Sequence, residues 1–277
     1  MAHYDIKLIV SDIDGTLLPK GGNISEGTRR AVSECRKRGI NFALASGRWF
    51  PSTVTVADAA GCQGPLIVSN GGCVIGVDGE ILQEFPMRDE DVRTTYDIIK
   101  KTGAFITSYV RGAIYRLNTN TMDNGPKEKL SYFGGDVFDV IDNDVERFES
   151  EALTGVYKME VYSNDMELLA KVKAELEQKG MSVSSSFYTN IEITSAGLGK
   201  GHAVRWLAEY LGVEREQVMT FGDNTNDMPM IEAAGVGVAM GNAVPELKAH
   251  ADLIAPPCDE DGLARMLRDL VFNDDEE

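Results

Sequence analysis

The sequence predicts an α/β protein in which a doubly wound parallel sheet is interrupted by an inserted α+β domain. In the first third of the chain, short apolar runs alternate with helical patterns in the order βαβαβ, which is typical of a parallel sheet with right-handed crossovers. From about Met87 to Tyr188 the apolar spacing becomes that of antiparallel strands, and after Asn190 the βα order returns. A chain of 277 residues is long enough for two domains. We expect a core of residues 1–85 and 189–277, with the insertion at 86–188.

The first third is predicted to contain three strands joined by two helices and followed by a hairpin. Ile40–Ala45 is an unbroken apolar run, as in a strand buried on both faces. Ser25 and Gly39 are the expected N-cap and stop of the first helix, and Asp78-Gly79 predicts the two-residue turn of the hairpin. The predicted elements are strands Lys7–Val10, Ile40–Ala45 and Leu66–Val68, helices from Ser25 to Arg38 and from Pro51 to Gly61, and hairpin strands Cys73–Val77 and Glu80–Glu84.

The insertion is predicted to hold two helices and four strands. Tyr157–Tyr162 alternates apolar and polar residues, as a half-exposed antiparallel strand does, and polar residues Thr119–Lys129 predict a loop. The elements are helices Asp89–Lys101 and Met166–Lys179 and strands Phe105–Tyr109, Ile114–Leu117, Tyr157–Tyr162 and Ser182–Phe187. The last third is predicted to contain helices that begin near Lys200, Met228 and Gly262 and the strands Val218–Phe221, Val236–Met240 and Leu253–Ala255.

Composition and charge argue against several classes of protein. The chain has 27 Lys and Arg against 44 Asp and Glu, a net charge of −17, which argues against nucleic acid and anionic membranes as partners. Small anionic substrates remain compatible with this charge, because a metal ion and one or two basic residues can make a site locally positive. No apolar run reaches the length of a membrane span, and the first residues do not resemble a signal peptide. The four cysteines include no C-x-x-C pair, so we expect reduced thiols in a cytoplasmic protein.

Two carboxylates lie two residues apart in Asp12-Ile13-Asp14-Gly15-Thr16, directly after the first apolar strand. Residues i and i+2 of a strand share a face, so Asp12 and Asp14 are expected to point the same way. At about 4 Å and an effective dielectric near 20, their repulsion is roughly 4 kcal/mol, a large part of the roughly 5–15 kcal/mol that keeps a domain folded. Water, a raised pKa or a bound cation must offset it. A solvated acidic turn is the simplest alternative.

Four motifs follow predicted strands, at the edge where open α/β sheets place their ligand sites. They are Asp12–Thr16, Ser46-Gly47-Arg48, Lys200 within Gly197–Gly201, and Gly222–Asp227. Structural alternatives remain: Ser46 and Gly47 could form only a turn, Lys200 could be a solvated lysine at a helix start, and Asn226 could be a helix N-cap. Arg48 is either a cation that faces a substrate or one half of a surface ion pair.

In order and spacing, these motifs resemble the haloacid dehalogenase (HAD) superfamily of aspartate-based phosphatases, in particular its Cof-type (subclass IIB) members. The resemblance extends over essentially the whole chain and includes Ser69-Asn70-Gly71, Met240-Gly241-Asn242-Ala243 and Asp259-Glu260-Asp261-Gly262. It implies a Rossmann-like HAD core with an inserted cap domain that sets substrate specificity. The implied activity is Mg2+-dependent hydrolysis of small phosphomonoesters, such as sugar phosphates, through an aspartyl-phosphate intermediate.

The resemblance assigns the chemistry chiefly to the first motif. Asp12 would attack phosphorus as the nucleophile. Asp14 would protonate the leaving alkoxide and then take a proton from the hydrolytic water. Mg2+ would be held by Asp12, the backbone carbonyl of Asp14 and Asp223, because this ion prefers hard oxygen ligands.

The resemblance also implies a phosphate-binding set. Ser46, the backbone N–H of Gly47 and the ammonium of Lys200 would hold phosphate oxygens, with a further contact from Asn226. The residues expected to support these groups from one layer further out are Asp227, Thr16 and Arg48.

Two other functions stay open from the sequence. A phosphotransferase or phosphomutase of the phosphomannomutase type would use the same Asp12 but pass the phosphoryl group to a sugar hydroxyl. A non-catalytic binding protein on the same fold needs no nucleophile, so the complete set of charged motif residues argues against it. The sequence does not choose between hexose or pentose phosphates, pyridoxal phosphate and flavin mononucleotide as substrates, and it does not give the oligomeric state.

Overall fold

The computed structural model of the chain describes residues 4–119, 139–186 and 188–272. The chain forms two compact units, which we call unit 1 (Met1–Gln83 with Lys200–Glu277) and unit 2 (Glu84–Gly199). One sheet is mainly parallel and the other mainly antiparallel, which confirms the predicted fold class. Within the described ranges, no helix combines the length and the apolarity that crossing a bilayer requires.

The described residues form strands and helices that we number in chain order. The strands are β1 (Leu8–Ser11), β2 (Asn41–Ala45), β3 (Leu66–Val68), β4 (Cys73–Ile75), β5 (Ile81–Glu84), β6 (Phe105–Val110), β7 (Ala113–Asn118), β8 (Asp139–Asp142), β9 (Val156–Tyr162), β10 (Ser182–Ser184), β11 (Asn190–Thr194), β12 (Val218–Gly222), β13 (Val236–Ala239) and β14 (Leu253–Ile254). The helices are α1 (Glu26–Lys37), α2 (Phe50–Ala60), α3 (Asp89–Ile99), α4 (Val145–Glu151), α5 (Met166–Gln178), α6 (Lys200–Leu211), α7 (Met228–Ala233), α8 (Pro245–His250) and α9 (Gly262–Leu267).

Unit 1 is organised by an eight-stranded sheet in the order β14-β13-β12-β1-β2-β3-β4-β5. The strands from β14 to β3 are parallel to their neighbours, and β4 is antiparallel to β3. β1 is buried along its whole length, as expected for a central strand of a parallel sheet. β1 and its two neighbours, β2 and β12, end within one position of each other in register. Asp12, Ser46 and Asp223 directly follow these three strands, so the fold delivers them to one edge of the sheet.

Unit 2 contains a six-stranded sheet in the order β10-β11-β9-β6-β7-β8. Neighbouring strands of this sheet are antiparallel, except that β7 and β8 are parallel to each other. Helices α3, α4 and α5 pack with the sheet around one hydrophobic core. The unit ends at Gly199, whereas the sequence predicts that the insertion ends at residue 188. The difference arises because β11 pairs with β9. All five residues of β11 are buried, and such a pattern does not distinguish a strand of this sheet from a strand of the parallel one.

Strand β9 is buried on both faces, so the prediction that it is half-exposed is wrong. Lys158 and Glu160, at its polar positions, are only 1% and 4% exposed. These two side chains form an ion pair, and Lys158 Nζ also lies 3.3 Å from Glu192 Oε1 on β11. The hydroxyl of Tyr109 donates a hydrogen bond of 2.8 Å to Glu160 Oε2. Charged side chains can be buried when they are paired in this way, and the alternating pattern alone does not reveal it.

Further differences concern local elements. Strand β8 and helices α4 and α8 are present although they were not predicted from the sequence. The final helix is shorter than the span Gly262–Val271 that the sequence predicts, since α9 ends at Leu267 and the chain continues as one π-helical turn, Arg268–Phe272. The loop predicted over Thr119–Lys129 lies outside the described residues, apart from Thr119.

Candidate active site

The carboxylate of Asp12 is buried and is held by the ammonium of Lys200. Asp12 follows β1 and is 6% exposed, and Lys200, the first residue of α6, is 1% exposed. Lys200 Nζ lies 2.6 Å from Asp12 Oδ1 and 2.6 Å from Asp227 Oδ1. The alternative that Lys200 is a solvated lysine at a helix start is therefore wrong.

The turn after β12 carries two more carboxylates, those of Asp223 and Asp227, that interact with the ammonium of Lys200. Asp227 Oδ2 accepts hydrogen bonds from the backbone N–H groups of Asp223 (2.9 Å) and Asn224 (3.0 Å). Asn224 caps the short 3₁₀ turn Thr225–Asp227 that leads into α7. The cap of this turn is thus Asn224, and Asn226 does not have the N-cap role that we considered for it. Asn226 lies half-buried within the turn.

Asp12, Asp223 and Asp227 form one acidic cluster. One carboxylate oxygen from each lies within 4.8 Å of the others, and all three residues are buried. Thr16 Oγ1 donates a hydrogen bond of 3.3 Å to Asp223 Oδ1. Gly15 is required beside this contact, because its φ is +88° and an added Cβ would lie 2.3 Å from Asp223 Oδ2. The sequence predicts only a supporting role for Asp227, whereas in the structure its carboxylate belongs to the cluster itself.

Burial and mutual repulsion perturb the charges of this cluster. Burial raises the pKa of Asp12 well above its ordinary value, with Asp227 adding to the effect and Lys200 opposing it. Burial and the nearby Asp227 raise the pKa of Asp223 to about 7. Burial would lower the pKa of Lys200, but Asp12 and Asp227 together raise it. One buried ammonium therefore faces three buried carboxylates, and the cluster has the charge and the hard oxygen donors that suit a divalent cation such as Mg2+.

Asp14 has a different partner from Asp12. Its side chain is 54% exposed and forms a two-point ion pair with Arg48, with Nε 2.7 Å from Oδ2 and Nη2 2.6 Å from Oδ1. Arg48 Nη1 also donates to Ser52 Oγ at 3.1 Å. Of the two alternatives for Arg48, the structure shows an ion pair, and its partner is a predicted catalytic residue. Asp12 and Asp14 thus each have a cationic partner of their own, Lys200 for Asp12 and Arg48 for Asp14.

The Ser46-Gly47-Arg48 motif follows β2 in a tightly held loop. Ser46 is 2% exposed, and its Oγ accepts a hydrogen bond of 3.1 Å from the backbone N–H of Arg48. The next loop holds this motif from the other side, because Asn70 N–H donates to the carbonyl of Ser46 (3.0 Å) and Ser69 N–H donates to the carbonyl of Arg48 (2.9 Å). Gly47, the middle residue of the motif, is half-buried.

Asn242 is a site residue to which the sequence analysis gave no role. Its Nδ2 donates to the carbonyl of Gly15 at 2.8 Å, and its Oδ1 accepts from the backbone N–H of Cys258 at 2.8 Å. Asn242 therefore links the turn of the first motif to a loop near the end of the chain. The available signal was Met240-Gly241-Asn242-Ala243, which directly follows the apolar strand β13.

Comparison with known proteins gives matches that span nearly the whole chain. The model of the haloacid dehalogenase-like hydrolase family matches residues 9–267. A 5-amino-6-(5-phospho-D-ribitylamino)uracil phosphatase of Bacillus subtilis is 28% identical over 268 residues, which cover 97% of this chain and 97% of that protein. Phosphatase YwpJ of the same organism is 28% identical over 293 residues, covering 96% and 100%. The solved structure of a haloacid dehalogenase-like hydrolase from B. subtilis matches with a TM-score of 0.82 and 26% identity, covering 96% of this chain and 100% of that one.

Proposed function

Because this chain belongs to the haloacid dehalogenase-like hydrolase family, as its four motifs predict, we propose that it is a Mg2+-dependent phosphatase that cleaves small phosphomonoesters through an aspartyl-phosphate intermediate. The family match and the phosphatases among its relatives support hydrolysis of a phosphate ester. The observation that carries the proposal is the buried contact between Asp12 and Lys200, next to Asp223. A carboxylate beside a fixed cation is suited to attack a phosphorus atom whose oxygens the same cation attracts.

The first step that we propose is attack of Asp12 on phosphorus, with cleavage of the bond between phosphorus and the ester oxygen. Asp14, which has taken up a proton from solvent before this step, donates that proton to the departing alkoxide, which leaves as the free alcohol. In the second step Asp14 takes a proton from water while the water oxygen attacks phosphorus. The bond between Asp12 and phosphorus then breaks, and Asp12 and inorganic phosphate are released.

We propose that Ser46, the N–H of Gly47, Lys200 and Asn226 hold the phosphate oxygens. The Ser46 hydroxyl oxygen already accepts from Arg48 N–H, so its own proton is available for a phosphate oxygen. Lys200 is anchored between two carboxylates and acts as a fixed point charge. Fixed donors of this kind stabilise a transition state in which charge is spread over the phosphoryl oxygens.

Mg2+ would be held by the carboxylates of Asp12 and Asp223 and the backbone carbonyl of Asp14. The fit rests on the charge of the acidic cluster, in which three buried carboxylates accompany one buried ammonium, that of Lys200. Asp227 is occupied by Lys200 and by two backbone N–H groups, so it supports the other residues. When bound, the ion would neutralise charge on the transferring phosphoryl group.

We further propose that unit 2 determines which ester is preferred and that the substrates are phosphorylated sugars or sugar alcohols. One relative is named for a substrate with a phosphorylated ribityl group, and this supports the substrate class. We expect the enzyme to act in the cytoplasm, on metabolites that diffuse freely.

The proposal is tested by measuring phosphate release from a panel of phosphorylated metabolites. Chelation with EDTA should abolish activity, Mg2+ should restore it, and Ca2+ should restore it poorly, because Ca2+ prefers more ligands at longer distances. Asp12→Asn keeps the size of the side chain but removes the nucleophile, and turnover should fall by at least about a thousandfold. Asp58→Asn, at an exposed position of α2, is the matched control.

Three results would contradict the proposal. Near wild-type phosphate release by the Asp12→Asn protein would exclude Asp12 as the nucleophile. Full activity in EDTA would exclude the metal. Transfer of the phosphoryl group to a sugar hydroxyl, without release of free phosphate, would identify a phosphotransferase.

A further inference from the structure

The contact between Arg48 and Asp14 joins two motifs that are 34 residues apart in the chain. We infer that Arg48 is a positioning residue for Asp14, and that the loop Ser69–Gly71 holds Arg48 in place. This inference rests on the proposed function, in which Asp14 moves the proton. It adds a role for Arg48 and for a loop that the proposed mechanism does not otherwise use.

The side chain of Asp14 needs an external support. It is 54% exposed, and an aspartate with this exposure can adopt several rotamers in water. Both of its oxygens accept from one guanidinium, through Nε and Nη2. A planar fork that engages both oxygens fixes the direction of the carboxylate as well as its distance, which a single ammonium does not do.

Arg48 is itself fixed at three places. Its Nη1 donates to Ser52 Oγ in the first turn of α2 (3.1 Å). Its backbone N–H donates to Ser46 Oγ (3.1 Å), and its carbonyl accepts from Ser69 N–H (2.9 Å). The side chain is only 26% exposed. The two backbone contacts hold the loop that carries Arg48, and the Ser52 contact holds its guanidinium, so less side-chain freedom is lost when the ion pair forms.

The loop that supports Arg48 is in an unusual conformation. Ser69, Asn70 and Gly71 have φ values of 51°, 55° and 90°. The left-handed region costs a residue with a side chain roughly 1 to 2 kcal/mol, and such residues cluster at functional sites. Ser69 and Asn70 are 0% and 5% exposed, and their N–H groups donate to the loop that carries Arg48. Among the described residues Ser69 Oγ has no hydrogen-bond partner, so the backbone of this segment carries the contact.

A positioned proton donor matters most for esters with a poor leaving group. An alkoxide from a sugar phosphate must be protonated as it leaves, whereas 4-nitrophenolate leaves without help. General acid catalysis contributes about 10²- to 10⁴-fold, and misplacing the donor loses part of this factor. Loss of Arg48 should therefore reduce kcat/KM for an alkyl phosphate much more than for 4-nitrophenyl phosphate. A residue that binds phosphate would affect both esters equally.

The experiment compares kcat/KM for the two esters in Arg48→Lys, which keeps the charge but loses the fork. We expect a loss of about 10- to 100-fold on the alkyl ester and of less than about threefold on 4-nitrophenyl phosphate. In the Asp14→Asn background, Arg48→Lys should cause little further loss, because Arg48 acts through Asp14. Arg30→Lys is the matched control, since Arg30 pairs with Glu26 on the surface of α1.

The loop is tested at Ser69. Ser69→Gly tolerates the positive φ and should keep the wild-type ratio between the two esters, whereas Ser69→Val, which is β-branched, should lower this ratio. Thermal unfolding shows whether each variant is folded, and Arg48→Gln, which keeps a shorter donor, is a second variant at that position.

The outcomes separate this inference from the proposed function. Equal losses on both esters in folded Arg48 variants, or no loss on either, would overturn the inference and leave the phosphatase proposal intact. Additive losses in the double variant would also overturn it. Failure of the wild-type protein to release phosphate from either ester would refute the proposed function and this inference with it.

Discussion

Replacing Asp223 by Asn should stabilise the metal-free protein while it abolishes activity. Burial and Asp227 raise the pKa of Asp223 from its ordinary value of 3.8 to about 7. In the unfolded chain the carboxyl returns to its ordinary value. Between about pH 4 and pH 7 the folded state therefore binds more protons than the unfolded state, and the free energy of unfolding falls as the pH rises. Above about pH 7 the free energy of unfolding is lowered by the full amount that corresponds to the pKa shift.

The magnitude follows from the size of this shift. Each pKa unit corresponds to about 1.4 kcal/mol, so a shift of about three units corresponds to about 4 kcal/mol. Asp223→Asn removes the charge and should raise the free energy of unfolding of the metal-free protein by up to about 4 kcal/mol at about pH 8. At about pH 4.5 the two proteins should differ little. For a chain of this size the gain corresponds to an increase in Tm on the order of 10 °C.

The assay is denaturant or thermal unfolding in EDTA and in Mg2+, at pH values on both sides of 7. Mg2+ should stabilise the wild-type protein most at the higher pH, because it binds the ionised carboxylates. It should stabilise the Asp223→Asn protein much less. Asp58→Asn, at an exposed position of α2, is expected to match the wild type throughout. If Asp223→Asn is less stable than the wild type at about pH 8 without metal, the argument from burial is refuted.

Two further predictions concern the buried cation and unit 2. Lys200→Met should lower the free energy of unfolding by about 3–5 kcal/mol in EDTA near neutral pH, because it leaves the carboxylates of Asp12 and Asp227 buried without their ammonium. Denaturant titrations measure this change. A loss below about 1 kcal/mol would contradict the ion-pair geometry. Substitutions of polar loop residues in unit 2 should change the kcat/KM ratio between two sugar phosphates by more than about tenfold. If this ratio stays constant over all such variants, unit 2 does not set specificity.

The parts of the site that could be predicted from the sequence are those that follow a strand directly. Asp12, Ser46 and Asp223 each come after an apolar run, and parallel strands that are neighbours in a sheet end at the same edge. This rule needs only local pattern and fold class. The pairing of Arg48 with Asp14 could not be predicted in this way, because it depends on where two side chains point after they leave their strands.

Other features were missed because different structures share the same sequence pattern. The all-buried strand β11 fits either sheet, and only its pairing with β9 assigns it to unit 2. The alternation in β9 indicates one exposed face, but Lys158 and Glu160 are buried as partners. Such pairing across strands is a property of tertiary structure, and a single sequence does not show it.

The order of the elements along the chain has a consequence for synthesis on the ribosome. Strand β1 directly precedes Asp12. One of its two neighbours in the sheet, β12, begins only at Val218. Unit 2 is continuous, Glu84–Gly199, and is made between the two halves of unit 1. At roughly 5–20 residues per second, one edge of β1 stays without its partner strand for about ten seconds or longer. Lys200, the first residue of the second half of unit 1, also emerges late. The nascent chain thus carries Asp12 throughout the synthesis of unit 2 without its buried cation, and a chain released early has an open strand edge and an incomplete site.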